Sequence, residues 1–224
     1  MSEIKSEYGK FLQQAYGAKP KGYYEAFLRI PIQPGQSVLD WGCGLGGFLS
    51  TLAALPMADK IRLHGVDLLG DSVNSTRERV PGADVRLLEL PGLAAPWDDC
   101  TFDRIFLLDV IEHATDPGAL LRELHRLLKP GGIVTISTPD RLAFYKRPGA
   151  GRLSSIGLNL RRLAKLEWVD PTHRIEYTLG GLRTVLAASP FGVDDFRPSP
   201  WHRVPWVRPV RKHFSFLVDL KKHA

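Results

Sequence analysis

Short apolar runs alternate with amphipathic stretches along the middle of the chain. The apolar runs have the length of β-strands, and the stretches between them repeat their apolar positions every three or four residues, as helices do. The pattern predicts strands at Ser37–Asp40, Ile61–Val66, Val85–Leu90, Arg104–Leu108 and Ile133–Ser137. It predicts helices at Phe48–Leu55, at Asp71–Arg79 and from Asp116 onwards. Strands that alternate with helices indicate a parallel sheet with right-handed crossovers.

The sequence also predicts two helix caps, further helices on either side of this central region and a strand after it. Asp71 is predicted to cap the second helix and Asp116 the third. Residues 3–30 have the apolar spacing of one or two amphipathic helices, and Leu182–Ala188 that of a further helix. Residues 214–220 alternate with a period of two, which predicts a closing edge strand and leaves a helix as the alternative.

Length and composition narrow the class of protein. The 224 residues are enough for one α/β domain and too few for two ordinary ones. No apolar run reaches the ~18 residues of a membrane-spanning helix, and the N-terminus lacks the apolar core of a secretory leader. The two cysteines, Cys43 and Cys100, are too few for a disulfide framework or a four-cysteine zinc site. A cytoplasmic location is therefore predicted.

Basic residues are concentrated in two segments of a chain whose net charge is +6. Residues 141–172 contain seven Lys or Arg against two acids, and residues 197–224 contain seven against one. Such segments are either solvated surface or a patch for an anionic partner. Four aromatic residues stand among the bases of the second segment, which favours an anionic or apolar partner there.

A glycine-rich turn, Gly42–Gly47, follows the first predicted strand. In a doubly wound sheet, this turn lies at the carboxyl ends of the strands, where ligands bind. Its glycines fit the dinucleotide fingerprint, but Asp40 at the strand end would repel a pyrophosphate and attract a cation. S-adenosylmethionine carries a sulfonium and an ammonium and no phosphate. It therefore suits the turn better than a nicotinamide dinucleotide, which is the alternative.

Asp67 ends the second predicted strand, 21 residues after Gly46. An acid near this spacing accepts hydrogen bonds from both ribose hydroxyls of a bound nucleoside. The alternative is a helix cap or a loop acid. The position at the strand end favours the ribose role.

Five stretches resemble, in order, the motifs of the class I S-adenosylmethionine-dependent methyltransferases. They are Val38–Gly47, Gly65–Asp67, Trp97–Asp103, Phe106–His113 and Leu128–Ile133. The resemblance implies an α/β fold with a doubly wound, mostly parallel seven-stranded sheet of the Rossmann-like methyltransferase type. It divides a single domain into an N-terminal helical cap (1–34), a cofactor-binding core (35–140), a basic helical lid insert (141–172), and a C-terminal helix with edge strands (173–224).

The resemblance also assigns roles at the cofactor site. Asp40, the turn backbone and Asp109 would lie along the methionine portion of S-adenosylmethionine, with Asp67 at the ribose. Many relatives have Gly-Asp-Ala after the third strand, where this chain has Leu88-Glu89-Leu90, so Glu89 or the Leu90 backbone would contact the adenine. The predicted cofactor-binding residues are Asp40, Gly42, Cys43, Gly44, Gly46, Asp67, Leu68, Glu89, Leu90 and Asp109.

Methyl transfer is an in-line displacement for which the protein supplies proximity and alignment. A phenol or alcohol acceptor also needs a general base. His113, past the fourth strand, and His173, after the insert, are the candidates, with a turn-capping role as the alternative for His113. Asp109, Glu112 and His113 are similar to the acid-x-x-acid-His arrangement with which some quinone-pathway O-methyltransferases hold a divalent cation. We assign no metal from the sequence, because the first acid is the shorter Asp.

The predicted function is methyl transfer to a small-molecule acceptor, with O-methylation favoured. One alternative is a membrane-associated methyltransferase of a quinone- or lipid-like acceptor, with peripheral membrane contact through the basic segments. The other is a non-catalytic binding subunit with this fold. A nucleic-acid acceptor is disfavoured, because neither cysteine follows a proline as in cytosine C5-methylation. The sequence predicts no oligomeric state.

Overall fold

The computed structural model describes residues 23–89, 94–141, 160–161, 164, 172–198 and 215–223. The strands are β1 (Ser37–Trp41), β2 (Arg62–Asp67), β3 (Asp84–Leu87), β4 (Phe102–Leu108), β5 (Leu128–Pro139), β6 (Gly192–Pro198) and β7 (Ser215–Lys221). The helices are α1 (Gly47–Ala53), α2 (Gly70–Arg79), α3 (Pro117–Leu127) and α4 (Leu179–Ala187), with short 3-10 helices at Tyr24–Phe27, Ala58–Lys60 and Ile111–His113. The strands predicted between residues 37 and 137 are confirmed, with slightly different bounds. So are the helices predicted at Phe48–Leu55, at Asp71–Arg79, from Asp116 onwards and at Leu182–Ala188.

The strands form one sheet in the order β3-β2-β1-β4-β5-β7-β6. Strands β1 to β5 are mutually parallel, and β7 runs antiparallel to both of its neighbours. The direction of winding reverses between β1 and β4, and doubly wound sheets bind ligands at the carboxyl ends of the strands at that point. The predicted fold class is confirmed. The lid insert, like most of the second basic segment, lies largely outside the described residues, so the lid and the membrane contact stay predictions.

The strand predicted over residues 214–220 exists, but its predicted place at the edge of the sheet is wrong. β7 pairs with β5 on one side and with β6 on the other, so β6 is the edge strand. Phe216–Leu220 are all buried, including the polar Asp219. The Thr135 hydroxyl donates a hydrogen bond to Asp219 at 2.6 Å, which allows this polar residue to occupy an interior strand.

Two apolar clusters form the core, one containing side chains of α1 and α2 and the other side chains of α3 and α4. In β1, Val38 belongs to the first cluster, whereas Leu39 and Trp41 belong to the second. Because alternate residues of a strand point to opposite faces, Asp40 lies on the same face as Val38. Among the described residues, no helix has the length and apolar character of a membrane span.

The helix starts test the two predicted caps. Asp116 caps α3 as predicted, because its Oδ1 accepts a hydrogen bond from the Ala119 amide at 2.9 Å. Asp71 does not cap α2, which begins after Leu69 without a side-chain cap. The Leu69 amide donates instead to Oδ1 of Asp67, at 2.9 Å. Of the predicted N-terminal helices, residues 1–22 lie outside the described part of the chain.

Candidate active site

The glycine turn leaves β1 and folds back against β2. The amides of Gly42 and Cys43 both donate to the Val66 carbonyl, at 2.8 and 3.0 Å. Gly42 has a φ of +79°, and a Cβ built there would lie 2.5 Å from Cγ2 of Val110. Backbone conformation and the Val110 side chain therefore both exclude a larger residue, and bare backbone lines this part of the site.

Asp67 ends β2 and connects it to the turn. Its Oδ2 accepts a hydrogen bond from the Gly44 amide at 2.9 Å, and Thr76 of α2 donates its hydroxyl to the Gly44 carbonyl at 2.9 Å. Burial raises the pKa of Asp67, although the Gly44 and Leu69 amides favour its charged form. Each carboxylate oxygen has a second lone pair, so Asp67 retains the capacity to accept further hydroxyl donors.

Asp40 lies in β1 between β2 and β4, with only 3% of its surface exposed. Burial, followed by the charge of Asp67, raises the pKa of Asp40 to about 8. No basic side chain of the described ranges forms an ion pair with Asp40. A buried carboxylate of this kind ionises readily only when a cation lies beside it.

Asp109 directly follows β4, the neighbour of β1. Its φ of +55° lies in the left-handed region that non-glycine residues rarely adopt, and such strain concentrates at functional sites. The Ser137 hydroxyl donates to its Oδ1 at 3.0 Å, and the Tyr23 hydroxyl donates to its Oδ2 at 3.3 Å. Burial, and then the charges of Asp40 and Asp109, raise the pKa of Tyr24 to about 12. The N-terminal tyrosines therefore adjoin both carboxylates.

The remaining predicted cofactor residues have different surroundings. Leu68, which the family resemblance places beside the adenine, follows Asp67 and is 42% exposed. Glu89 is exposed just beyond the end of β3. The Cys43 side chain is buried, and burial raises the pKa of its thiol, so this residue offers only its backbone. Leu90 lies outside the described residues.

The two candidate bases, His113 and His173, lie side by side with their ring centroids 4.9 Å apart. Nδ1 of His113 is 3.2 Å from the Thr172 carbonyl oxygen. His173 is buried, and its Nδ1 is 3.2 Å from Oε1 of Glu176. Nε2 of His173 is buried as well and has no hydrogen-bond partner among the described residues. The structure thus brings together two histidines that are far apart in the sequence.

Sequence reasoning missed several residues that hold predicted site residues in place, among them Tyr23, Thr172 and Glu176. The spacing of three residues between His173 and Glu176 was a usable signal, because it allows two side chains to meet within one turn of chain. Tyr23 and Thr172 carried no comparable signal, because each reaches its partner only through the tertiary fold.

The site's chemistry fits a cationic nucleoside. Asp40, Asp67 and Asp109 lie around a turn of bare backbone, and no described heavy atom lies within 4 Å of a Cβ built at Gly44. The buried carboxylate of Asp40 favours a positively charged ligand and disfavours a pyrophosphate. S-adenosylmethionine meets both conditions, with Asp67 suited to its ribose and the other two carboxylates to its methionine portion.

Comparison with known proteins agrees with this chemistry. A family model described as a methyltransferase domain matches residues 39–136. A probable S-adenosylmethionine-dependent methyltransferase of Mycolicibacterium smegmatis is 30% identical over 72% of this chain and 54% of its own length. The ubiquinone biosynthesis O-methyltransferase of Xanthomonas campestris pv. campestris is 35% identical over 55% of this chain and 49% of its own length. Two other relatives of similar identity are named as a phosphoethanolamine N-methyltransferase, from Arabidopsis thaliana, and a cycloartenol-C-24-methyltransferase, from Oryza sativa subsp. japonica.

The curated relatives are longer than this chain, which spans about a fifth to a half of their length. A solved structure of similar length also matches it. A SAM-dependent methyltransferase structure from Aquifex aeolicus superposes with a TM-score of 0.65 at 18% identity, covering 95% of this chain and 97% of that one. At that identity the likeness supports the fold alone. Because the motifs, the domain match and the sheet order agree, the domain formed by residues 39–136 belongs to the class I S-adenosylmethionine-dependent methyltransferase family.

Proposed function

We propose that this chain transfers a methyl group from S-adenosylmethionine to an oxygen atom of a small-molecule acceptor. The proposal depends on one juxtaposition: the acidic, glycine-lined turn and the imidazoles of His113 and His173 share the carboxyl edge of the sheet. The donor, when bound, supplies a methyl group that its sulfonium already activates. The chain's own residues then have to bind the donor, align the acceptor and receive a proton.

The predicted donor-binding residues contact different parts of S-adenosylmethionine. Asp67 accepts hydrogen bonds from the ribose hydroxyls, and Leu68 flanks the adenine. Glu89 or the Leu90 backbone binds the adenine amino group. Asp40 and Asp109 place negative charge along the cationic methionine portion. The turn contributes its backbone through Gly42, Cys43, Gly44 and Gly46.

The two imidazoles provide the proton acceptor for a phenol or alcohol. A general base acts best when its ring is held in a fixed orientation, and histidine is the side chain most often used in this role. The Glu176 carboxylate at Nδ1 fixes the His173 ring and leaves Nε2 as the proton-accepting atom. The Thr172 carbonyl does the same for His113. A ring-fixing partner at each histidine supports oxygen as the accepting atom, since a nitrogen that is neutral at pH 7 needs no base.

The test is a transfer assay with radiolabelled S-adenosylmethionine and fractionated small-molecule extracts. We expect label in a product of low mass, and we expect Asp40→Asn to abolish it. Asp71→Asn is the matched control, since Asp71 is an exposed carboxylate of α2 that holds nothing at the turn. Structure determination of the product by mass spectrometry and NMR then locates the methyl group.

Each outcome of the assay bears on a different part of the proposal. A methyl group on nitrogen or carbon would overturn the choice of oxygen and leave methyl transfer intact. Label confined to nucleic acid or protein would overturn the small-molecule acceptor. Calorimetric binding of S-adenosylhomocysteine with no transfer to any fraction would favour the non-catalytic binding subunit.

A further inference from the structure

We propose that Glu112, His113 and His173 form a binding site for one dication of the zinc class, next to the methyl-donor site. One potential ligand atom of each residue lies within 4.8 Å of those of the other two. The inference goes beyond methyl transfer and depends on neither the acceptor nor the atom methylated. A dication bound here would occupy the imidazole nitrogens that the proposed function uses as proton acceptors, so one protein molecule cannot use them for both roles at once. The zinc measurement below tests the metal site without reference to methyl transfer.

The fold brings the three residues together from two segments. Glu112 and His113 belong to the 3-10 helix that follows β4. The amides of Arg174 and Ile175 donate to the Glu112 carbonyl, at 2.9 and 3.2 Å, and hold the second segment against the first. The backbone hydrogen bonds of Arg174 and Ile175, the two residues after His173, therefore hold His173 against the 3-10 helix. They do so whether or not a metal ion is bound.

His173 is arranged as metal-binding histidines are. Such a histidine almost always pairs its second ring nitrogen with a carboxylate, a carbonyl or water, which fixes the tautomer and aims the ligating nitrogen. Here Nδ1 is paired with the buried Glu176 carboxylate, at 3.2 Å. The other nitrogen, Nε2, is buried and unpartnered within the described part of the chain. A buried imidazole nitrogen with no donor or acceptor costs free energy that a bound cation would recover.

The other two ligands are held in the same way. The Thr138 hydroxyl donates to Oε2 of Glu112 at 2.9 Å. The Thr172 carbonyl lies 3.2 Å from Nδ1 of His113. In each case a neighbour fixes one polar atom of the side chain. All three candidate ligands thus have the supporting hydrogen bonds that metal sites require.

The ligand types select the metal. Two imidazoles and one carboxylate suit zinc and similar transition-metal dications, whereas Mg²⁺ and Ca²⁺ prefer oxygen ligands. Three protein ligands leave at least one coordination position for water or for an oxygen or nitrogen atom of a small molecule. This set differs from the acid-x-x-acid-His grouping considered from the sequence, because the Asp109 carboxylate is engaged by Ser137 and Tyr23.

Zinc content measures the site directly. The full chain is stripped with a chelator, incubated with excess zinc chloride and passed through gel filtration, after which its zinc is quantified. We expect about one zinc per chain for the native protein and loss of that zinc in His113→Gln and in His173→Gln. Glu176→Gln keeps all three ligands, and we expect it to weaken zinc binding by roughly 10–100-fold, the usual effect of a supporting partner. Competition with a chromogenic chelator gives the affinities.

The control is His125→Gln, which alters a half-buried histidine of α3 whose ring packs edge to face against Phe191. It should retain zinc like the native protein. Each variant must show a cooperative thermal unfolding transition, so that lost zinc is not lost structure. Zinc retention that is equal in native protein, His173→Gln and His113→Gln would assign the metal to other histidines and overturn the proposal. A native protein that retains no zinc would overturn it as well.

Discussion

The Gly44 amide and the Asp67 carboxylate, 23 residues apart in the chain, are joined by a hydrogen bond of 2.9 Å. The bond connects the glycine turn after β1 to the end of β2. The carboxylate that the family resemblance assigns to the ribose is therefore also the group that fixes the turn. Its removal should affect both the binding of the ligand and the order of the turn.

Asp67→Ala tests this double role. Loss of hydrogen bonds to an ionised acceptor typically costs about 1–3 kcal/mol, so we expect the affinity for S-adenosylhomocysteine to fall by about 5–150-fold. The Gly44 and Leu69 amides also lose their acceptor, so the melting temperature should fall in the absence of ligand. Isothermal titration calorimetry and thermal unfolding measure the two effects.

Asp71→Ala provides the comparison for this experiment. Asp71 is an exposed acid four residues further along the chain, and its side chain caps nothing. The Asp71→Ala variant should have nearly the same affinity for S-adenosylhomocysteine and nearly the same melting temperature as the native protein. Unaltered affinity in Asp67→Ala would show that the ribose lies elsewhere, even if the melting temperature fell.

Gly42→Ala tests the close approach of the turn to the segment after β4. The added methyl group would lie 2.5 Å from Cγ2 of Val110, at a φ of +79° that alanine rarely adopts. We expect a loss of about 1–3 kcal/mol in the free energy of unfolding, the usual cost of such strain. Denaturant unfolding measures it.

A double-mutant cycle separates the two causes of that loss. Val110→Ala removes the colliding methyl groups, so the double variant should be more stable than the sum of the single effects predicts. Gly70→Ala is the control, because a Cβ there meets no described atom within 4 Å and its φ is not positive. If the two substitutions were additive, the backbone conformation alone would account for the glycine.

Much of the fold was predictable because the core strands are continuous apolar runs separated by helices. β1 and β4 are largely buried, and each contains an uninterrupted apolar stretch, Val38–Leu39 in β1 and Ile105–Leu108 in β4, that stands out from its polar neighbours. The interior position of β7 was not predictable, because Asp219 makes the strand look half exposed. The tertiary structure shows that this carboxylate is buried and that it accepts a hydrogen bond from Thr135 on β5. β6 has too mixed a sequence to stand out from a loop.

The candidate site was predictable where its residues stand next to one another in the chain and unpredictable where they meet through the fold. Asp40, the glycines and Asp67 follow directly from strand ends. The contact between His113 and His173, and the one between Tyr23 and Asp109, join segments that only the tertiary structure brings together. Asp109 also has an unusual backbone conformation that no local sequence signal announces.

Asp116→Ala tests the one cap that both sequence and structure support. The Asp116 side chain accepts a hydrogen bond from the Ala119 amide at 2.9 Å at the start of α3. Loss of such a cap costs about 1 kcal/mol. We expect the free energy of unfolding to fall by that amount, measured in urea. Asp71→Ala, which removes the acid that caps nothing, should change stability by less than about 0.5 kcal/mol, as is usual for an exposed position. Equal losses in the two variants would indicate a general charge effect and not a cap.

The buried carboxylate of Asp40 should make ligand binding depend on pH. Because the pKa of Asp40 in the free protein is raised to about 8, this residue holds a proton at pH 7 that the unfolded chain has lost. Its contribution to the free energy of unfolding therefore decreases as pH rises from about 4 towards 8. A ligand that places a cation beside Asp40 favours the charged form, so binding below pH 8 should release a proton. Affinity should then rise with pH, by at most about tenfold per pH unit, up to that pKa.

Calorimetry with S-adenosylhomocysteine, whose ammonium supplies a cation, measures this release in buffers of different ionisation enthalpy at pH 6.0–8.0. Asp40→Asn is the matched control, because it keeps the size of the side chain and removes its titration. We expect the proton release and the Asp40-dependent part of the pH slope to disappear in the variant, leaving only titration of the ligand itself. If native protein and variant had the same slope and released the same number of protons, Asp40 would not be the group that faces the ligand's positive charge. Asp109, which accepts hydrogen bonds from Ser137 and Tyr23, would then be the next carboxylate of the site to test in the same way.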